Sequence, residues 1–170
     1  MFIIGIDPGL NTTGYSVLAC HGRQLVLHEA GVIRSTKGCS LASRVTEIGR
    51  GLREVLADYQ SAGHELRAIA IEQVFSHTSF PKTAILMAHA RGAILYAASE
   101  ANIPIVHYMP RQIKSLLTGS GKASKEQVQR AVQLELNLPS ILEPNDVADA
   151  AAIAVCHAFA IRLTQPIPEA

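Results

Sequence analysis

Four acidic residues stand where apolar sequence gives way to polar: Asp7 after IIGI, Glu72 after AIAI, and Asp146 and Asp149, three apart, just past Asn145. Three residues is close to one helical turn, so in a helix both aspartates project from one face of its first turn, where a cation between them offsets their repulsion. Each acid also has a structural reading: Asp7 before Pro8-Gly9 can initiate a turn, Glu72 can cap a strand with surface charge, and the aspartate pair can complement a helix dipole. Taken together they form a set of hard oxygen donors drawn from separate elements, which suits magnesium, and no cysteine-histidine cluster competes for a softer metal. Two such ions, about 3.5–4 Å apart, activate a water and stabilise the leaving 3′ oxygen of a phosphodiester, with manganese expected to substitute for magnesium. Mutual repulsion should also couple the carboxylate titrations.

These acids need elements to carry them. Residues 2 to 6 read as a buried first strand running into the turn DPGLNTTG, followed by strands near 15 to 20 and over 24 to 34, an antiparallel meander. Leu41, Val45, Ile48, Leu52, Val55 and Leu56 recur at helical spacing, predicting an amphipathic helix over 41 to 59. Residues 67 to 72 form a strand that delivers Glu72 to its C-terminal rim, the Ala-rich segment 81 to 101 a helix, and 103 to 108 a further strand. Ser124 to Gln127 carries a capping-box pattern opening a helix to about Leu136, and Asn145 is the candidate N-cap of a last helix from 146 to 163. The order predicts an α/β protein: a mixed five-stranded sheet, three strands antiparallel and then parallel, with helices on both faces. It reads as one domain over 1–163 with a flexible C-terminal tail at 164–170.

The 170 residues carry 15 Lys+Arg against 14 Asp+Glu, so the total charge gives no sign of a polyanionic partner. The balance hides a basic segment: Arg111, Lys114, Lys122, Lys125 and Arg130 fall between 108 and 131 with Glu126 the only acid, around a Thr118-Gly-Ser-Gly121 turn that lets backbone approach phosphates. Taken alone, that segment reads first as a solvated helix face. Directly after Glu72, Phe75 and Phe80 flank a polar loop containing His77. Phe75 is a candidate for stacking on unpaired bases, and His77 a candidate phosphate ligand or proton carrier. Cys20, Cys39 and Cys156 are widely separated, which fits a reduced, cytoplasmic setting, and neither a signal peptide nor a membrane span is expected.

At these residues the chain resembles the RuvC-type crossover (Holliday) junction endodeoxyribonucleases. The matching stretches are IIGIDPGLNTTGYSV at 3 to 17, AIEQVF at 70 to 75, ARGAI at 90 to 94, PRQIKSLLTGSGKASKEQVQ at 110 to 129 and NDVADAAAIAVCH at 145 to 157. The resemblance implies an RNase H-like fold, a homodimer, magnesium, and paired symmetric nicks in four-way junction DNA during recombination and repair. It also implies a RuvA–RuvB type branch-migration complex as partner. The family's four catalytic acids correspond to Asp7, Glu72, Asp146 and Asp149, with a histidine at the last position in some members. Phe75 matches an aromatic placed against junction bases, and Lys114 and Lys125 match basic positions near the cleavage site. A twofold protein suits a junction with two equivalent strands, and the apolar positions on more than one face of the 81 to 101 helix make it the expected dimer contact.

Three other readings remain open on sequence. One is a nuclease of the same fold acting on RNA or on other branched DNA. Another is an actin-like phosphate binder, which DPGLNTTG also resembles but for which 170 residues are too few. The third is a junction-binding module without catalysis, against which the presence of all four acids argues.

Overall fold

The computed structural model describes residues 1–73 and 81–164. Five strands form one sheet: β1 (Phe2–Asp7), β2 (Thr12–His21), β3 (Gln24–Arg34), β4 (Leu66–Glu72) and β5 (Ile105–Tyr108). The strand order is β3-β2-β1-β4-β5. β1, β2 and β3 pair antiparallel, and β1, β4 and β5 pair parallel, as the pattern of short meander and later crossovers predicts. This is the RNase H-like arrangement, with its three central strands apolar because both faces are covered.

Helices α1 (Leu41–Ser61) and α2 (Pro81–Glu100) cover one face, meeting Ile4, Ile6, Val17, Ile69 and Ile71 through Ile48, Leu52, Leu56 and Ile94. α1 follows the spacing expected of it, buries one stripe, and opens at Ser40, whose Oγ accepts from the Ser43 N–H at 3.2 Å. The other face is covered by α5 (Asn145–Thr164), with α3 (Pro110–Thr118) and α4 (Lys125–Glu135) packed against it. From Ala150 to Ala158 every residue of α5 is buried, the signature of a helix enclosed on all sides.

Small residues let α5 lie directly on the sheet. A methyl group at Gly5 would collide with the Ala150 carbonyl and lie 2.7 Å from the Ala154 nitrogen, so this close approach requires glycine on the strand. At the sheet's other edge, Tyr108 Oη and His157 Nδ1 lie 2.7 Å apart in a buried bridge that joins β5 to α5. Buried polar groups persist when paired in this way.

Three expectations need correction. α3 is absent from the elements expected on sequence, although Pro110 occupies its first turn and Gly119, with φ 77°, closes it. Asn145 is not the N-cap of the last helix: it lies inside α5, and its Oδ1 accepts from Gln129 Nε2 at 3.0 Å, tying α5 to α4. The fifth strand begins at Ile105, with Ile103 buried ahead of it.

Candidate active site

Asp7 ends β1 and Glu72 ends β4. Ile6 pairs with Ile71 in the parallel ladder, so the next residues, the two acids, emerge side by side from adjacent strands. Because side chains alternate along a strand, both point away from the Ile6 and Ile71 face and toward α5. The first turn of α5 supplies the rest. Gly14, opposite Asp7 across the β1–β2 ladder, lies so close beneath Asp146 that an added methyl group would strike the Asp146 carbonyl. Asp149 follows three residues later on the same helix, and its Oδ2 accepts from Lys125 Nζ at 2.7 Å.

The electrostatics put the four acids in one neighbourhood. Burial raises the Asp7 carboxyl from 3.8 to about 7, and the charges of Asp149, Glu72 and Asp146 push it the same way, against a smaller opposing pull from Lys125. Burial and then the Asp149 charge also raise Glu72, with Lys114 and Lys125 opposing. A desolvated carboxylate among like charges holds its proton until a cation replaces it. In metal-free protein the Asp7 carboxyl is therefore expected to titrate near pH 7 by carbon NMR, and millimolar magnesium should move the midpoint well down. A midpoint in the ordinary aspartate range without metal would show that the acids do not interact.

Beside them opens a cleft of about 250 Å³ lined by Glu72, Asp149, Lys114 and Lys125 over a floor of Ile113, Val128, Ala152 and Ile153. α3 brings Lys114. The capping box predicted at Ser124 is present, with Ser124 Oγ accepting from the Gln127 N–H at 3.2 Å, and it fixes the first turn of α4 that carries Lys125. Arg111 and Lys122 are exposed outside this lining; the stem of Arg111 lies against Gly121, where a methyl group would come within 2.7 Å of its Cγ. Phe75, His77 and Phe80 lie outside the described residues.

Among the described residues, no three acidic, histidine or cysteine side chains already close into a metal-binding group. The acids are gathered at one end of the sheet without being tied into a cage. Their chemistry nevertheless fits a hard divalent cation: all donors are carboxylate oxygens, and their shared repulsion is the field a cation relieves. These acids are visible in the sequence, whereas the bridge between Tyr108 and His157 spans long sequence separation and leaves no local pattern.

A model of the crossover junction endodeoxyribonuclease RuvC family matches residues 3–157. The chain belongs to the RuvC family. It is 52% identical over 154 residues to the crossover junction endodeoxyribonuclease RuvC of Rhodopirellula baltica, covering 91% of this chain and 84% of that relative. It is 38% identical over 158 residues to the RuvC of Desulforamulus reducens, covering 93% of each. Its fold superposes on T. thermophilus RuvC, a structure solved in complex with a Holliday junction substrate, with a TM-score of 0.87 and 34% identity over 96% of both chains. The RuvC match spans β1 through most of α5, so it includes every element that carries an acid of the cluster.

Proposed function

We propose that this chain is a homodimeric, magnesium-dependent endonuclease that resolves four-way DNA junctions by paired symmetric nicks in recombination and repair. The observation that carries the reading is the convergence of Asp7, Glu72, Asp146 and Asp149 at one sheet end, in a chain of the RuvC family. Those four acids would hold one or two magnesium ions, with manganese as a substitute, and the ions would activate water and stabilise the departing 3′ oxygen. The chain's own contribution is placement. Asp7 and Glu72 are fixed by strand register, Asp146 and Asp149 by the seat of α5 on Gly14, and Lys114 and Lys125 hold the phosphate backbone over the cleft. Arg111 and Lys122 extend the basic surface beyond the cleft, and Phe75 stacks on junction bases. The domain spans 1–163, followed by the 164–170 tail.

The dimer contact in this reading is α2. Ile85 and Tyr96 of α2 remain 58% and 62% exposed on a stripe that also includes Ala88, His89 and Gly92, while Ala90, Ile94, Ala97 and Ala98 face the core. Among the described residues no helix is long and apolar enough to cross a membrane. In this reading the enzyme works in the cytoplasm beside a RuvA–RuvB type motor.

The test is a plasmid bearing an extruded cruciform. Paired nicks across the junction linearise it, whereas independent single nicks leave open circles, and Ile85→Asp should convert the first outcome into the second if α2 joins the two subunits. A cruciform left uncut by wild type under varied sequence and salt would remove the junction from the account.

Lysine substitution gives a separate prediction. Lys114→Ala or Lys125→Ala should weaken junction binding and lower the slope of log affinity against log salt by about one for each phosphate that is no longer neutralised. Slopes equal to wild type would take these lysines off the DNA path.

A further inference from the structure

The turn that follows Asp7 is held from outside by a residue that does not line the acidic cleft. Arg44, in the first turns of α1, directs its guanidinium at three acceptors: Nε donates to Ser35 Oγ at 3.0 Å, and Nη2 donates to the Leu10 carbonyl at 3.2 Å and to Asn11 Oδ1 at 2.5 Å. Ser35 Oγ donates to the same Leu10 carbonyl at 2.5 Å, and the Ser35 N–H reaches the Asn11 carbonyl at 3.2 Å. From inside, Thr13 Oγ1 donates to the Gly9 carbonyl at 2.8 Å. All three carbonyls from Gly9 to Asn11 are thereby engaged, and the turn is fixed between β1, β3 and α1.

One group in this network is left pointing outward. A guanidinium only donates, so the Asn11 oxygen must face Arg44 and the Asn11 Nδ2 must face away from it. Asn11 is exposed, and its Nδ2 has no partner among the described residues. It stands at the end of the sheet where Asp7 lies, on the β3 side and held toward α1, whereas Lys114 and Lys125 line the cleft with Glu72 and Asp149 on the β4 side, toward α5. Among the described residues Arg44 is met there by neutral acceptors, and the exposed Arg34 pairs with Thr12 in the same corner.

We propose that Arg44 and Asn11 form a substrate-positioning pair, in which Arg44 fixes the Asn11 amide so that Nδ2 donates to a phosphodiester oxygen of the cleaved strand next to the scissile one. The strand is then gripped on both flanks of the acids, by Lys114 and Lys125 on one side and by Asn11 on the other. Asn11 acts on the substrate directly, and Arg44 acts through Asn11. This rests on the junction-cleaving reading above.

Asn11→Asp separates the role from a structural one. The aspartate keeps an oxygen facing Arg44, with an ion pair in place of a neutral hydrogen bond, so the turn is retained and the melting temperature should not fall. The donor is replaced by an acceptor carrying negative charge. Junction affinity measured by gel shift in chelator should fall about tenfold or more, with KM rising correspondingly, while Asn11→Ala gives a smaller loss in the same direction. Arg44→Lys keeps the charge but not the fork, and should resemble Asn11→Ala in affinity instead of wild type. Wild-type affinity and KM in Asn11→Asp would overturn the pair. Wild-type enzyme that fails to cut the junction would instead remove the function on which the pair rests.

Discussion

Asp7→Asn is expected to lose junction cleavage by about a thousandfold or more while making the metal-free protein more stable at pH 8. The two effects share one cause. Asp7 is raised to about 7 by burial and by three neighbouring acids, so the folded state binds its proton more tightly than the unfolded chain does. The sign follows from linkage: the stability that this proton contributes is fully present below the ordinary aspartate range and is lost as pH rises through about 7. At pH 8 without metal, the native state therefore carries an ionised, poorly solvated Asp7. The neutral amide removes that penalty, for a gain on the order of 2 kcal/mol. Magnesium should stabilise wild type and leave the variant almost unchanged. Thermal melts at pH 5 and pH 8, with metal and with chelator, check the pattern. A variant less stable than wild type in chelator at pH 8 would make Asp7 a structural residue. Junction binding should survive the substitution, since the basic surface is untouched.

Gly14→Ala should be nearly as damaging without altering any charged group. The added methyl would collide with the Asp146 carbonyl and lie 3.1 Å from its Cβ, so the first turn of α5 must lift from the sheet. Overpacking of this kind costs about 1–3 kcal/mol of stability. A displacement of about 1 Å at a catalytic group reduces rate about a hundredfold. Gly49→Ala is the matched control. Its methyl would rest 3.6 Å from Ala93 Cβ, an ordinary van der Waals separation, and in a helix interior it should be neutral or slightly stabilising. Cleavage rates and melting temperatures of the pair decide the matter: equal activity in the two variants would mean that the seat of α5 on Gly14 does not set the position of Asp146.

The contrast between Asp7 and Gly14 shows what is legible in the sequence. Asp7, Glu72, Asp146 and Asp149 are visible because each stands at the edge of an apolar run, and strands and helices announce themselves by periodicity. The Ser124 box is visible because capping is local chemistry. Gly14 carries no such sign, since its requirement arises from a helix whose Asp146 arrives 132 residues later along the chain. The same holds for Arg44, whose acceptors at Leu10, Asn11 and Ser35 come together only when α1 closes over the end of β3. α3 is legible in principle from Pro110, Gly119 and the spacing of Ile113 and Leu116, but nine residues give few turns over which a period can be seen. Composition and spacing do not say which of the basic residues line the cleft; only the family resemblance singles out Lys114 and Lys125. Lys114 and Lys125 line it and Arg111 and Lys122 do not, a division set by how α3 and α4 pack on α5.

The most direct measurement is cleavage of an end-labelled synthetic four-way junction, beside a linear duplex and an RNA–DNA hybrid, with magnesium and with chelator. Wild type and Asp7→Asn are run together. Symmetric nicks in opposed strands of the junction are expected, dependent on magnesium and absent in the variant. A junction left intact while the duplex or the hybrid is cut would keep the metal-dependent nuclease and contradict the junction as its substrate.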